Sequence, residues 1–291
     1  MWATTVIAQD IFQIVRPTRW NDARELGAKL NGWIFRGQAD SKWGLVTTLE
    51  RAADRLGCSP EMRANGENSI LREFQRRAHH FVDPPEFEDR LEWLALLQHH
   101  GSPSRLLDFT HSFYAAAFFA LDTAISDAAV WAVNRPMLDR VVSEQVQRDV
   151  SRLRAQDLNE AYIRLCNEVG RQEITSRLVV AVEPERMNER LAAQQGLFLF
   201  PFDLGVSFEE NLAETFRLDP ACFKDPGFAD LSNLTPSRLA NVCILKMVIP
   251  KTCHVAAIED LRKMNISTAT LFPGLDGFAR SLQYWLTSGI E

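Results

Sequence analysis

Short apolar runs of strand length break up helical segments at irregular intervals along this chain, and that rhythm constrains the fold more than any other feature. Trp33–Phe35, Ser104–Phe109, Ala128–Val133, Arg177–Val182, Gly196–Phe200 and Val242–Ile249 read as strands. Thr18–Leu30, Pro60–Phe81, Glu86–His100, Ser112–Ala124, Met137–Val169, Glu185–Ala193 and Leu275–Leu286 read as helices. In the first of these, Trp20, Ala23, Leu26 and Leu30 fall on one face. No regular strand–helix–strand repeat emerges, so a doubly wound parallel sheet is disfavoured. The expected fold is α+β, with a mixed or split β-sheet flanked by helices.

The 291 residues, 46% of them hydrophobic, can bury a core without disulfides or structural metal. The formal net charge of −6 argues against a strong global attraction to nucleic acid or anionic membrane, and leaves a local basic groove open. Five cysteines with no Cys-x-x-Cys pair predict free thiols and a cytoplasmic setting. The N-terminus lacks the pattern of a secretory signal, and the longest apolar run, within Phe113–Leu121, is too short for a membrane span. Asp219–Pro236 is rich in turn residues. The expected organisation is one domain over residues 1–291, with a core at about 33–200 and a C-terminal extension at about 201–291 packed on it.

Four segments carry chemistry. In Trp33-Ile34-Phe35-Arg36-Gly37-Gln38, an arginine stands where a strand meets a glycine, a place where a guanidinium and turn amides could hold a phosphate. Leu97–Ser112 is dense in polar groups, with His99, Arg105, Asp108, Thr110 and Ser112. Thr110 or Ser112 suits the cap of the following helix, and Arg105 and Asp108 are spaced for a local ion pair. Arg190–Phe198 places Gln194 and Gln195 before Gly196 at a helix-to-strand turn, and Leu271–Gly277 leads into the last helix with Asp276 near its start.

In order and spacing these segments resemble the FRG domain family. The resemblance runs from about Trp33 to Leu282 through Phe35-Arg36-Gly37-Gln38, Gln98-His99 to Pro103, Arg105-Leu106-Leu107-Asp108, Thr110, Ala117, Phe119, Gln194-x-Gly196-x-Phe198, Leu271-Phe272-Pro273 and Leu275-Asp276-Gly277. Phe109 stands where the family usually has Trp, and Gly274 where an acidic residue is frequent. The motif order is also similar to ADP-ribosyltransferases of the Arg-Ser-Glu type. That similarity implies an ADP-ribosyltransferase-like core with NAD as co-substrate and no metal. Arg36 would grip the phosphates, Thr110 with Ser112 would form the hydroxyl motif, and Gln194 would stand at the third position. Phe35, Gly37 and Gln38 would complete the NAD site, with Phe35 or Phe118 against the nicotinamide riboside.

Gln194 cannot supply the negative charge that favours a ribosyl cation. Glu185, Glu189 or Asp276 is the expected source of that charge. The implied function is an NAD-dependent ADP-ribosyltransferase acting as a toxin or phage-defence effector. Its acceptor would be RNA, DNA or protein, and an antitoxin or inhibitor would restrain it. Two alternatives stand beside it: a non-catalytic nucleotide- or RNA-binding FRG module, and a metal-free RNA-cleaving toxin with His99 as base. The His79-His80 and His99-His100 pairs are adjacent and so unsuited to chelation on one helix face, and no P-loop or Gly-x-Ser-x-Gly elbow occurs.

Overall fold

A computed structural model describes residues 11–146, 155–169, 176–223 and 227–285. Seven strands form one sheet: β1 Phe12–Val15, β2 Trp33–Gln38, β3 Leu107–Thr110, β4 Ala128–Asn134, β5 Val179–Val182, β6 Gly196–Pro201 and β7 Ile244–Ile249. Their order is β1-β7-β4-β2-β3-β6-β5. β1 and β7 run parallel and every other neighbouring pair is antiparallel. The mixed sheet flanked by helices expected from the sequence is present. It also reaches beyond the expected core, because β7, from the segment anticipated as an extension, lies inside the sheet between β1 and β4.

The alternation of side chains along a strand explains why helices cover both faces. Trp33 and Phe35 of β2, Val130 and Ala132 of β4, and Leu245 and Met247 of β7 pack into one apolar cluster. Ile34, Trp131, Val133 and Ile244 point the other way, into a second cluster. Helices α1 (Trp20–Lys29), α2 (Thr48–Arg55), α3 (Arg63–Ala78), α4 (Arg90–His99), α5 (Phe113–Leu121), α6 (Arg135–Gln145) and α7 (Ala155–Glu168) precede β5. After it come α8 (Glu189–Ala193), α9 (Phe208–Thr215), α10 (Pro236–Leu239), α11 (His254–Lys263), α12 (Thr268–Leu271) and α13 (Leu275–Ser281). The first cluster takes residues from α1, α5 and α11, and the second from α4, α6, α7 and α9.

The single helix expected over Met137–Val169 is two helices, α6 and α7. The segment joining them includes residues 147–154, which lie outside the described residues. Between these helices Asp139 is mostly buried, and its Oδ1 has no hydrogen-bond partner among the described residues. Burial pushes its carboxyl up to about 6, against the pull of Arg135. A folded-state pKa raised above the unfolded value means that stability falls as pH climbs from the ordinary carboxylate range through that value. Asp139→Asn removes this penalty. Its stability advantage over the wild type should therefore grow by about 2 kcal/mol between about pH 4.5 and about pH 7. Urea denaturation of both proteins at each pH checks this, and parallel curves would refute it.

The sheet is nearly split between β2 and β3. β2 pairs with β4 at six positions, from Trp33↔Asn134 to Gln38↔Ala129, whereas β2 and β3 share only the pair Phe35↔Thr110. Beyond that pair the strands part, and the Arg36 side chain, bonded to the Asp108 carbonyl, bridges them in place of a backbone ladder.

Candidate active-site cleft

A cleft of about 300 Å³ opens where β2 and β3 part. β2 contributes Phe35, Arg36 and Gly37 to its lining, and β3 contributes Asp108, Phe109 and Thr110. α4 contributes Ala95, Gln98 and His99, and Phe119 comes from α5. The stretch 188–198 supplies Asn188, Arg190, Leu191, Gln194 and Phe198, and Phe272 closes the wall. All four sequence segments with chemical content thus meet at one place. The volume sits at the low end of the range for ligand sites.

Arg36 is the link across the split. Its Nη1 donates to the Asp108 carbonyl at 2.7 Å and lies 3.8 Å from the Asp108 carboxylate. Burial lowers the guanidinium pKa from its ordinary value, and Asp108 opposes that shift. Arginine keeps its charge in proteins regardless. Its Nε has no hydrogen-bond partner among the described residues. Gln98 Nε2 donates to Asp108 Oδ1 at 2.7 Å. Among the described residues Asp108 is the single carboxylate lining the cleft, and Arg36 and Arg190 are its two guanidiniums. Such a surface favours an anion.

Thr110 donates its hydroxyl proton to the Gln194 carbonyl at 2.6 Å and accepts from the Ser112 amide at 3.0 Å. It therefore ties the end of β3 to the turn after α8. Gln194 Nε2 donates to the Leu271 carbonyl at 2.9 Å, joining that turn to the segment that carries Phe272. Arg190 lies 4.6 Å over the Phe272 ring, a cation–π contact at the cleft wall. Burial pushes the His99 pKa down, with His100 and Arg190 adding to the effect. That direction favours the neutral imidazole, whose Nδ1 lies 3.4 Å from Asn188 Nδ2.

Arg36, Phe35, Gly37, Thr110, Gln194 and His99 are together in the cleft, while Gln38 and Ser112 do not line it. Gln38 is buried; its amide donates to the Gly44 carbonyl at 2.8 Å and accepts from Trp131 Nε1 at 2.8 Å, which fastens the following loop. Ser112 caps α5 by accepting from the Ala115 amide. Phe118 is buried in the core under the sheet, and its neighbour Phe119 reaches the cleft, because successive residues of a helix point about 100° apart. Glu185, Glu189 and Asp276 do not line the cleft.

The turn expected at Gly37 is also absent. β2 continues through it, with Gly37 opposite Val130 and Gln38 opposite Ala129, so no run of turn amides stands ready for phosphate. The Arg105–Asp108 pair does not form: Arg105 binds Glu67 beneath the sheet and Asp108 approaches Arg36. Among the lining residues to which the sequence assigned no role in ligand contact, Asp108, Gln98, Asn188, Arg190, Phe119 and Phe272 are the polar or aromatic ones that matter most here. All except Asn188 sit inside the quoted motifs, which was the signal available.

Residues 31–129 match the family model described as FRG domain. The match takes in Arg36, Gln98, His99, Asp108, Thr110 and Phe119, and ends before the α8 turn and Phe272, so the later motifs of the resemblance lie outside it. No curated protein and no solved structure matches the chain. Among the described residues no helix is long and apolar enough to cross a membrane, and no group of three or more His, Cys, Asp or Glu is placed to hold a metal ion.

Proposed function

Taking the FRG domain over residues 31–129 as the premise, we propose that the cleft binds NAD through Arg36 and transfers ADP-ribose to a macromolecular acceptor. The observation that supports this reading is the meeting of Arg36, Thr110 and Gln194, from three distant segments, around one cleft at the split in the sheet. A guanidinium with planar donors suits a diphosphate, and the aromatic walls of Phe119 and Phe272 suit a flat ring. Holding the two halves of a dinucleotide in one geometry lowers the barrier to glycosidic cleavage by orientation. An enzyme that modifies cell macromolecules harms its own host unless restrained, so the reading carries with it a toxin or phage-defence role and an inhibitor protein.

Wild-type protein should bind NAD and release nicotinamide in the presence of cell extract. Arg36→Ala should weaken NAD binding roughly 10- to 100-fold, as expected for loss of charge-assisted hydrogen bonds. Calorimetry and a nicotinamide-release assay provide the check, with the melting temperature recorded because Arg36 also bridges β2 and β3. A wild type that neither binds NAD nor releases nicotinamide sinks the reading.

The engaged state of Gln194 favours a second reading. Its amide is bonded to Leu271 and it carries no charge, as suits a module that binds a nucleotide or RNA without turnover. Tight RNA binding with no nicotinamide release is the result that would select it.

A further inference from the structure

We propose that Asp108 is the catalytic carboxylate of the cleft. This rests on the NAD reading above and adds to it the negative charge that Gln194 cannot provide.

Cleavage between the nicotinamide nitrogen and ribose C1′ sends the bonding pair into the ring and neutralises it. Positive charge is left on C1′ and O4′ of the ribose. A carboxylate fixed beside those atoms lowers the barrier, as it does wherever an oxocarbenium-like centre forms. The acceptor's lone pair then forms the new bond to C1′, and the acceptor's proton passes to the carboxylate.

Asp108 meets the requirements of that role on four counts. Among the described residues it is the single carboxylate lining the cleft. Gln98 fixes its Oδ1 at 2.7 Å, while Oδ2 accepts no hydrogen bond among the described residues and lies 3.8 Å from Arg36 Nη1. Its side chain is 60% exposed, so a bound molecule can reach it. It stands two residues before Thr110 on the same strand, and residues so spaced share a face. The anchor for the diphosphate and the carboxylate for the sugar would then be neighbours across the split, joined through the Arg36 bond to the Asp108 carbonyl.

A purely structural role, as counter-ion to Arg36 and acceptor for Gln98, makes a different forecast. Asp108→Asn keeps the shape and the oxygen that Gln98 binds, and removes only the charge. On the catalytic role, the variant should bind NAD with affinity equal to or tighter than the wild type, since a negative group beside the phosphates is gone. Nicotinamide release at saturating NAD should fall about 100-fold, the lower end for loss of a positioned acid–base group. A variant that turns over like the wild type overturns the assignment and leaves the NAD reading standing. So does a variant whose binding and rate fall together with its melting temperature, which marks Asp108 as structural. A wild type that does not bind or cleave NAD overturns both.

Discussion

Gly37→Ala should cost at least about 3 kcal/mol of stability, beyond the middle of the range for an overpacked site. A Cβ on Gly37 would stand 1.9 Å from the Ala116 carbonyl oxygen and 2.5 Å from the Ala120 amide nitrogen. Both are backbone atoms of α5, so no side-chain rotation relieves the clash. β2 cannot retreat, because its ladder with β4 runs the length of the strand on one side. α5 comes closest to Gly37 of β2 at Ala116 and Ala120, both buried, and the small side chains and the glycine together let helix and strand approach closely. The glycine of the Phe-Arg-Gly motif is therefore a packing device. Its effect on the cleft is indirect: an α5 pushed off the sheet carries Phe119 and the Ser112 cap with it, and so displaces the cleft wall and the end of β3. Urea denaturation of Gly37→Ala against Gly66→Ala tests this, since a Cβ at Gly66 meets nothing within 4 Å. Equal stability of the two variants would remove the packing argument.

The same glycine shows how far the sequence could be read. The motif was legible, and so was the strand that leads into it. That the strand runs on through Gly37 was not, because only the neighbouring helix explains why a side chain is forbidden there. β2, β4 and β7 were legible because they are apolar on both faces, and α5 because FYAAAFFAL is an unbroken buried helix. β1 is four residues long and carries a weaker pattern. α2 and α9 are eight residues each and mostly polar, and their one clear signal was the capping box at Thr47 with Glu50 and at Ser207 with Glu210. In the cleft, the chain order of the motifs pointed to their meeting, but not to which side chains face inward. Arg105 and Asp108 are three apart, a spacing that makes neighbours on a helix. In extended chain, positions three apart lie on opposite faces. Here Arg105 sits at a bend before β3 and its side chain turns to Glu67, while Asp108 lies within β3 and approaches Arg36 and Gln98.

Glu67→Ala should be the most damaging single change outside the cleft, at about 3–5 kcal/mol, the range for removing one partner of a buried ion cluster. Glu67 and Arg105 are almost wholly inaccessible, and Arg90 is partly buried. Glu67 Oε2 accepts from Arg105 Nη2 at 2.5 Å and from Arg90 Nη2 at 2.7 Å, and Oε1 accepts from the Arg105 amide at 3.2 Å. Without the carboxylate, two guanidiniums face each other in an apolar setting. Among the described residues Arg105 would keep the carbonyls of Pro201 and Phe202 and the Phe200 ring, none of which carries a charge. Burial alone would push the Glu67 carboxyl up, yet Arg105 and Arg90 outweigh it and hold the group below its usual range. A depressed folded-state pKa contributes stability that is present above the unfolded value and lost as pH falls through the folded one. The wild type should therefore lose this part of its stability only in acid, and Glu67→Ala should lack it at every pH. The cluster also bears on the cleft, because Arg105 lies two residues before β3 and fixes where that strand begins. A weaker anchor there lets β3 shift against β2, which is the split that Arg36 spans. Denaturant unfolding near neutral pH gives the stability change, and a loss below about 1 kcal/mol, the size of an exposed ion pair, would show that the cluster does not hold β3 in place.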